Sequence, residues 1–189
     1  GAILFEETLY QNHADGESMV EKLNKQGIIP GIKVDKGLKP LVGALHHETY
    51  CSGLDGLTER AQEYYKQGAR FAKWRAVLQI TEDGPSDFAI KENAWGLARY
   101  ARAVQEAGLV PIVEPEILMD GDHHIEKTAA IQERVIKEVY AACATAGVLL
   151  EGTLLKPSMT VCGAECPDQA DYKKVAGYTI RTLLRSVPA

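Results

Sequence analysis

Three short stretches place charged side chains where apolar runs end. Lys73 and Arg75 stand two residues apart in "FAKWR", Glu114 and Glu116 do the same in "VEPE", and Lys156 ends the run "LLEGTLLK". Because side chains alternate along a strand, each pair shares one face of its strand. Charged groups in a common interior space must be paired, so this recurrence favours a functional cluster over five unrelated charges.

A lysine beside a second cation and a carboxyl group can carry out imine chemistry. An amine attacks a ketone only when it is uncharged, and the cation Lys73 favours the uncharged form of Lys156. The resulting hemiaminal loses water with the help of a general acid, which Glu114 can supply. The iminium then accepts the electron pair of a breaking carbon–carbon bond, while neighbouring lysines and arginines bind phosphate. These parts predict Schiff-base cleavage of a carbon–carbon bond.

Each residue of this set also has an ordinary structural interpretation. Lys73 or Arg75 alone is typical of a strand-end surface residue or an ion-pair member, and Glu114 with Glu116 is typical of a polar loop. Lys156 alone is typical of a lysine whose stem packs on apolar surface while its ammonium stays in water. Spacing alone leaves both interpretations open.

Apolar runs alternate with amphipathic stretches along the whole chain. The apolar runs, which predict strands, are 2–5, 27–34, 70–80, 109–117 and 148–155. The amphipathic stretches, which predict helices, are 17–26, 57–67, 86–107, 122–146 and 168–186. Ser86 is the expected N-cap of one helix, and Asp122 is the expected start of another. Strands separated by such helices predict right-handed βαβ units, a parallel sheet and one domain over residues 1–189.

Two parallel folds fit this alternation, an open doubly wound sheet and part of a (β/α)8 TIM barrel. A dinucleotide-binding sheet would show a G-x-G-x-x-G turn after its first strand, and the sequence has none. Polar residues follow successive strands instead: Glu6 with Glu7, Lys33, Lys73 with Arg75, Glu114 with Glu116, and Lys156. Barrel enzymes collect catalytic groups from several strand ends at one rim, which favours the barrel. Five strands do not close such a barrel, so an incomplete one is predicted.

Composition argues against several classes of function. The chain has 189 residues, of which 46% are hydrophobic and 25% charged, and its net charge is −5 at pH 7. Without a basic run or an interleaved aromatic patch, no nucleic-acid partner is expected. The apolar runs are too short to span a membrane. The N-terminus does not resemble a signal peptide, and a first glycine without an initiator methionine is typical of a chain that starts inside a longer one.

The spacing of cysteine and histidine predicts no metal site, and a covalent lysine imine would need no other cofactor. The C-x3-C pair at 162 and 166 lacks a second pair to complete a zinc site. All four cysteines are interpreted as reduced thiols in a cytosolic setting: Cys51, Cys143, Cys162 and Cys166. The adjacent pairs His46–His47 and His123–His124 are poor chelates, because neighbouring residues on one element point different ways. Solvated loop or helix-start positions are expected for them.

Six longer stretches resemble one known family. They are "LFEETLYQ" (4–11), "GIIPGIKVDKG" (27–37), "GLDGLTER" (53–60), "FAKWRAVL" (71–78), "IVEPEILMDGDH" (112–123) and "LEGTLLKPSM" (150–159). In this order they resemble the class I fructose-1,6-bisphosphate aldolases over essentially the whole chain. The resemblance implies a homotetrameric (β/α)8 TIM barrel, of which this chain supplies roughly strands 2 to 6. It also implies a metal-independent lyase of glycolysis and gluconeogenesis, which reversibly cleaves fructose 1,6-bisphosphate to dihydroxyacetone phosphate and glyceraldehyde 3-phosphate.

The resemblance also implies a role for each matching residue. Lys156 in "LLKP" resembles the Schiff-base lysine, and Glu114 in "VEPE" resembles the general acid/base. Glu116 resembles the neighbour that orders the lysines, and Lys73 resembles the lysine beside the imine that also contacts substrate. Two further residues resemble groups that bind the substrate or its phosphates, namely Arg75 and Lys33.

Parts of the family pattern are missing, and this leaves alternatives open. The aspartate of the first strand and the phosphate loops of the seventh and eighth strands have no counterpart, and the segment after Lys156 differs locally. One alternative is an inactive fragment or a non-catalytic binding or assembly module of the same fold. Another is a different Schiff-base enzyme, such as a transaldolase or deoxyribose-phosphate aldolase. A cytoplasmic location is expected, with an organelle left open.

Overall fold

Five parallel strands form the sheet of the protein. The computed structural model describes residues 1–45 and 47–188. The sheet contains β1 (Ala2–Leu4), β2 (Pro30–Lys33), β5 (Phe71–Leu78), β6 (Val110–Ile117) and β7 (Leu154–Leu155), adjacent in that order. A separate antiparallel pair is formed by β3 (Leu38–Pro40) and β4 (Thr49–Cys51). The predicted parallel sheet is therefore confirmed, whereas the antiparallel pair was not predicted.

Within the described residues, six α-helices lie between or after these strands. They are α1 (Glu6–Tyr10), α2 (Met19–Lys25), α3 (Leu57–Gln67), α4 (Asp87–Glu106), α5 (Ile125–Thr145) and α6 (Tyr172–Ser186). Ser86 caps α4 as predicted, because its hydroxyl accepts a hydrogen bond from the Ala89 amide at 3.1 Å. The predicted start of α5 at Asp122 is wrong, since His124 is the N-cap. The backbone before it is paired elsewhere: the carbonyl of His123 accepts from the Gly163 amide at 2.8 Å.

The prediction of a buried strand over residues 148–155 is also wrong for most of these residues. Residues Leu150–Gly152 form a turn of 3₁₀ helix, and only Leu154–Leu155 pair with β6. Gln105 fixes this turn from α4, because its amide donates to the carbonyl of Leu149 at 2.8 Å and accepts from the Leu149 amide at 3.0 Å. The side chain of Leu154 is half exposed, as expected at a sheet edge.

The core lies between the sheet and its helices. Trp74 of β5 is buried against Tyr100 of α4, and their stacked rings are 5.4 Å apart. The Tyr100 hydroxyl contacts the carbonyls of Ala72 at 2.7 Å and Ile112 at 3.2 Å. Helix α4 thereby connects β5 to β6, the two strands that carry most of the predicted site.

Three further expectations concern the membrane, the histidines and the domain. None of the helices in the described part of the chain has the length and apolarity to cross a membrane. His124 starts a helix as expected, but His123 is buried, so a solvated position is wrong for it. His46 and Ala189 lie outside the described residues, and the single domain over 1–189 stays a prediction.

Candidate active site

The strand register brings the predicted charges onto one face of the sheet. Lys33 of β2 pairs with Lys73 of β5, and Arg75 pairs with Glu114 of β6. The amide of Lys156 donates to the carbonyl of Val113 at 2.9 Å, which continues the β6–β7 ladder. Because paired residues of parallel strands point the same way, these side chains enter a common space opposite the helices.

Glu114 lies between two lysines. Its side chain is only 3% exposed, and its Oε1 accepts a hydrogen bond from the Lys156 ammonium. The Lys73 ammonium lies 3.0 Å from Oε2, off the direction of a hydrogen bond, so this contact is an ion pair. A buried carboxylate requires such compensation. The structure therefore brings together the three residues that the sequence assigned to imine chemistry.

Glu116 and Arg75 form a second ion pair beside the first. Nε of Arg75 donates to Oε2 of Glu116, and this bond raises the pKa of the guanidinium. Glu116 thus contacts the arginine, and its expected role of ordering the lysines stays a prediction. Glu114 is the carboxylate that contacts both lysines.

Lys33 has a partner that the sequence analysis missed. Its ammonium lies 2.6 Å from Oδ1 of Asp35, whose side chain is 3% exposed. Lys33 and Asp35 repeat the i, i+2 spacing of the other two charged pairs. The i, i+2 spacing within "GIKVDKG" is the sequence signal that indicates Asp35.

The segment after Lys156 is anchored to the end of β6. The Ser158 hydroxyl accepts from the Ile117 amide at 3.0 Å, and Gln132 of α5 donates to the carbonyl of Ser158 at 2.5 Å. A cavity of about 150 Å³ lies beside this anchor, and its lining includes Glu114, Glu116 and Lys156. Lys156 is the most exposed member of the cluster, with 57% of its side chain open to solvent. A small ligand in the cavity can therefore reach its amine.

The cysteines and acidic residues form no metal centre in residues 1–45 and 47–188, where no group of three or more potential ligands converges. All four cysteines are free and buried, as the sequence predicted for reduced thiols. Cys162 and Cys166 both contact the carbonyl of Asp168, at 3.7 and 3.6 Å, and they pack with Ile125. This small apolar cluster explains their burial.

Comparison with known protein families identifies the family of the chain. The model of the class-I fructose-bisphosphate aldolases matches residues 1–189. The chain belongs to the class-I fructose-bisphosphate aldolase family. The family resemblance inferred from the six sequence stretches is thus confirmed, and this aldolase chain carries its lysine–glutamate–lysine cluster inside the matched region.

Curated aldolases resemble the chain along its whole length. It is 57% identical over 188 residues to a chloroplastic fructose-bisphosphate aldolase of Arabidopsis thaliana, covering 100% of this chain and 47% of the relative. It is also 57% identical over 189 residues to a cytosolic aldolase of the same plant, covering 52% of that relative. The chain therefore spans about half the length of the curated relatives it matches.

A solved aldolase has the same fold. The fructose-bisphosphate aldolase of Plasmodium falciparum, crystallised in complex with TRAP and a small-molecule inhibitor, superposes with a TM-score of 0.97 at 54% identity. The match covers 100% of this chain and 55% of the other. The α/β fold is thus that of part of the aldolase TIM barrel, as the sequence predicted.

Proposed function

We propose that the protein is a Schiff-base aldolase that cleaves fructose 1,6-bisphosphate to dihydroxyacetone phosphate and glyceraldehyde 3-phosphate, and catalyses the reverse condensation. The observation that carries this proposal is the position of Glu114, whose buried carboxylate contacts the ammonium groups of both Lys156 and Lys73. Membership of the aldolase family supports it. The protein would thus be a lyase of glycolysis and gluconeogenesis.

Lys156 is the proposed nucleophile. Its ammonium first passes a proton to Oε1 of Glu114, which leaves an uncharged amine and a protonated carboxyl. The amine then adds to the C2 ketone of the sugar and forms a hemiaminal. The carboxyl of Glu114, which already contacts the same nitrogen, donates a proton to the leaving hydroxyl, so that water departs and the iminium forms. The C3–C4 bond then breaks, its electron pair enters the iminium to give an enamine, and the C4 hydroxyl proton passes to a base. Protonation of the enamine and hydrolysis of the imine release dihydroxyacetone phosphate.

The remaining cations bind the substrate in this proposal. Lys73 lies on the opposite side of Glu114 from Lys156, and its charge attracts the anionic oxygens of the substrate. Arg75 is the proposed phosphate ligand on the same strand, with Glu116 fixing its guanidinium. Lys33 is the proposed substrate contact on β2. The covalent lysine imine replaces any metal or organic cofactor.

Steady-state kinetics with competing sugars tests this proposal. The full-length protein is expected to release triose phosphates from fructose 1,6-bisphosphate, and EDTA is expected to leave the rate unchanged. Preference for an unphosphorylated sugar or a transaldolase substrate would contradict the assignment. Loss of activity with EDTA would indicate a metal-dependent reaction, and absence of any cleavage would favour a non-catalytic binding or assembly role.

Assembly and compartment are part of the same proposal. A homotetramer is proposed from family membership, and sedimentation velocity of the full-length protein tests it. A cytoplasmic location is proposed as well, although relatives of equal identity carry chloroplastic and cytosolic names. Cell fractionation with an antibody against this chain distinguishes the two compartments.

A further inference from the structure

Asp35 is a buried carboxylate that the proposed chemistry does not use. Its Oδ1 accepts hydrogen bonds from the Lys33 ammonium at 2.6 Å and from the Gly37 amide at 3.2 Å. Its Oδ2 is buried and makes no hydrogen bond. The bond to Gly37 stabilises the turn after β2, but a neutral asparagine could make the same bond. The ion pair with Lys33 is therefore the contact that requires the negative charge of Asp35.

Asp35 lies at the edge of the proposed active site. Its partner Lys33 pairs in register with Lys73, which contacts Glu114. The Asp35 charge also contributes, after Glu116 and Glu114, to the raised pKa of Arg75. The carboxylate is thus close enough to influence two of the cations that are proposed to bind substrate.

We propose that Asp35 is a positioning residue, whose buried carboxylate holds the Lys33 ammonium on the substrate face of the sheet. This inference rests on the proposed aldolase function. A lysine ammonium has three donors on a flexible stem, so one bond to Asp35 leaves two donors for anionic oxygens of the sugar phosphate. Because the ammonium is fixed before substrate arrives, binding loses less side-chain entropy.

The isosteric variant Asp35→Asn tests this role in the full-length protein, with the exposed Asp83→Asn as its matched control. Asp35→Asn keeps the volume and the bond to Gly37 but removes the charge. It is expected to raise the KM for fructose 1,6-bisphosphate about ten-fold and to change kcat less than about two-fold. Borohydride trapping of dihydroxyacetone phosphate at Lys156 should persist. An unchanged KM in a variant that still forms the adduct would overturn the inference.

A double-mutant cycle shows whether Asp35 acts through Lys33. Lys33→Met is expected to raise KM by itself, and adding Asp35→Asn to it should raise KM no further. Multiplicative effects would overturn the inference, because the two residues would then act independently. If Asp35→Asn does not fold by itself, urea unfolding of the other two variants tests the pair. The free energy of unfolding of the double variant should then exceed that of Lys33→Met, because Asp35→Asn removes the unpaired buried charge.

Cys51 reports the charge of Asp35 independently of activity. Burial, followed by the Asp35 charge, raises the pKa of the Cys51 thiol to about 12. Asp35→Asn should therefore let iodoacetamide alkylate Cys51 at lower pH, as measured by peptide mass spectrometry. An unshifted profile would contradict an effect of the Asp35 charge on this thiol. Two failures can be told apart. If the unaltered protein forms no adduct at Lys156, the aldolase proposal fails. If Asp35→Asn forms the adduct and its KM is unchanged, only the role of Asp35 fails.

Discussion

Oε1 of Glu114 accepts a hydrogen bond from the Lys156 ammonium, although the two residues are 42 positions apart in the chain. The contact exists because β6 and β7 are paired in parallel, with Val113 opposite Leu155. The same carboxylate contacts Lys73 from the other neighbouring strand. Strand pairing therefore brings one carboxylate and two ammonium groups together, at the positions that the proposed imine chemistry requires.

Replacing Glu114 separates acid catalysis from binding. Glu114→Ala is expected to lower kcat by about 10²- to 10⁴-fold, because the hemiaminal then loses water without a positioned acid. Stopped-flow single turnovers should show substrate bound but little borohydride-reducible imine. Glu59→Ala is the matched control, since Glu59 is an exposed residue of α3 outside the charged cluster. An imine yield equal to that of the unaltered protein would contradict the assigned role.

Replacing Arg75 tests phosphate binding. Arg75→Ala is expected to raise the KM for fructose 1,6-bisphosphate about ten-fold while kcat changes little, since a charge-assisted contact to the substrate is lost. The exposed Arg99→Ala is the comparison, because Arg99 lies on α4 and outside the charged cluster. A fall in kcat without a change in KM would place Arg75 in the chemical step instead.

Tyr100 connects the two strands that carry the site. Tyr100→Phe keeps the stacked ring but leaves the carbonyls of Ala72 and Ile112 without this donor, so the free energy of unfolding should fall by about 1–3 kcal/mol. Urea denaturation followed by circular dichroism measures the loss. Tyr65→Phe, at a half-exposed ring, should change stability by less than about 0.5 kcal/mol. Equal effects of the two changes would refute this role for the Tyr100 hydroxyl.

His123 predicts a dependence of stability on acid. Burial, assisted by Lys127, lowers the pKa of His123 below 6.5. The unfolded state then binds more protons than the folded state, so the stabilising contribution is complete above the unfolded pKa and is lost as pH falls through the folded pKa. Urea titrations at pH 7.5 and 5 should show a smaller decline for His123→Gln than for the unaltered protein. Exposed His13→Gln should decline like the unaltered protein, and parallel curves for all three would contradict the prediction.

Local sequence patterns were sufficient for much of the fold. Helix α3 occupies the predicted residues 57–67, and α4 ends within one residue of its predicted bounds on each side. Such boundaries follow from periodic apolar residues and caps, which are local properties. The pair β3–β4 and the turn at Leu150–Gly152 both receive hydrogen bonds from α4, distant in sequence. Asn93 donates to the carbonyl of Thr49 in β4, and Gln105 bonds to Leu149 before the turn. The sequence of neither segment has a periodicity that indicates these structures.

The site likewise has a part that local sequence patterns predict and a part that they do not. The i, i+2 spacing identified Lys73, Arg75, Glu114 and Glu116 because alternation along a strand is local. Their partners were not predictable from spacing, since pairing depends on the relative register of strands and on side-chain conformation. The contact of Glu116 with Arg75 is one such case. The contact of Asp35 with Lys33 is another.

Borohydride trapping of dihydroxyacetone phosphate is the most direct measurement of the proposed chemistry. Reduction of the full-length protein with this ligand should give one stable secondary-amine adduct, located by peptide mass spectrometry at Lys156. Lys156→Met should give no adduct and no turnover, whereas Lys91→Met, at an exposed lysine of α4, should give both. An adduct at another lysine, or none in a folded sample of the unaltered protein, would contradict an imine at Lys156.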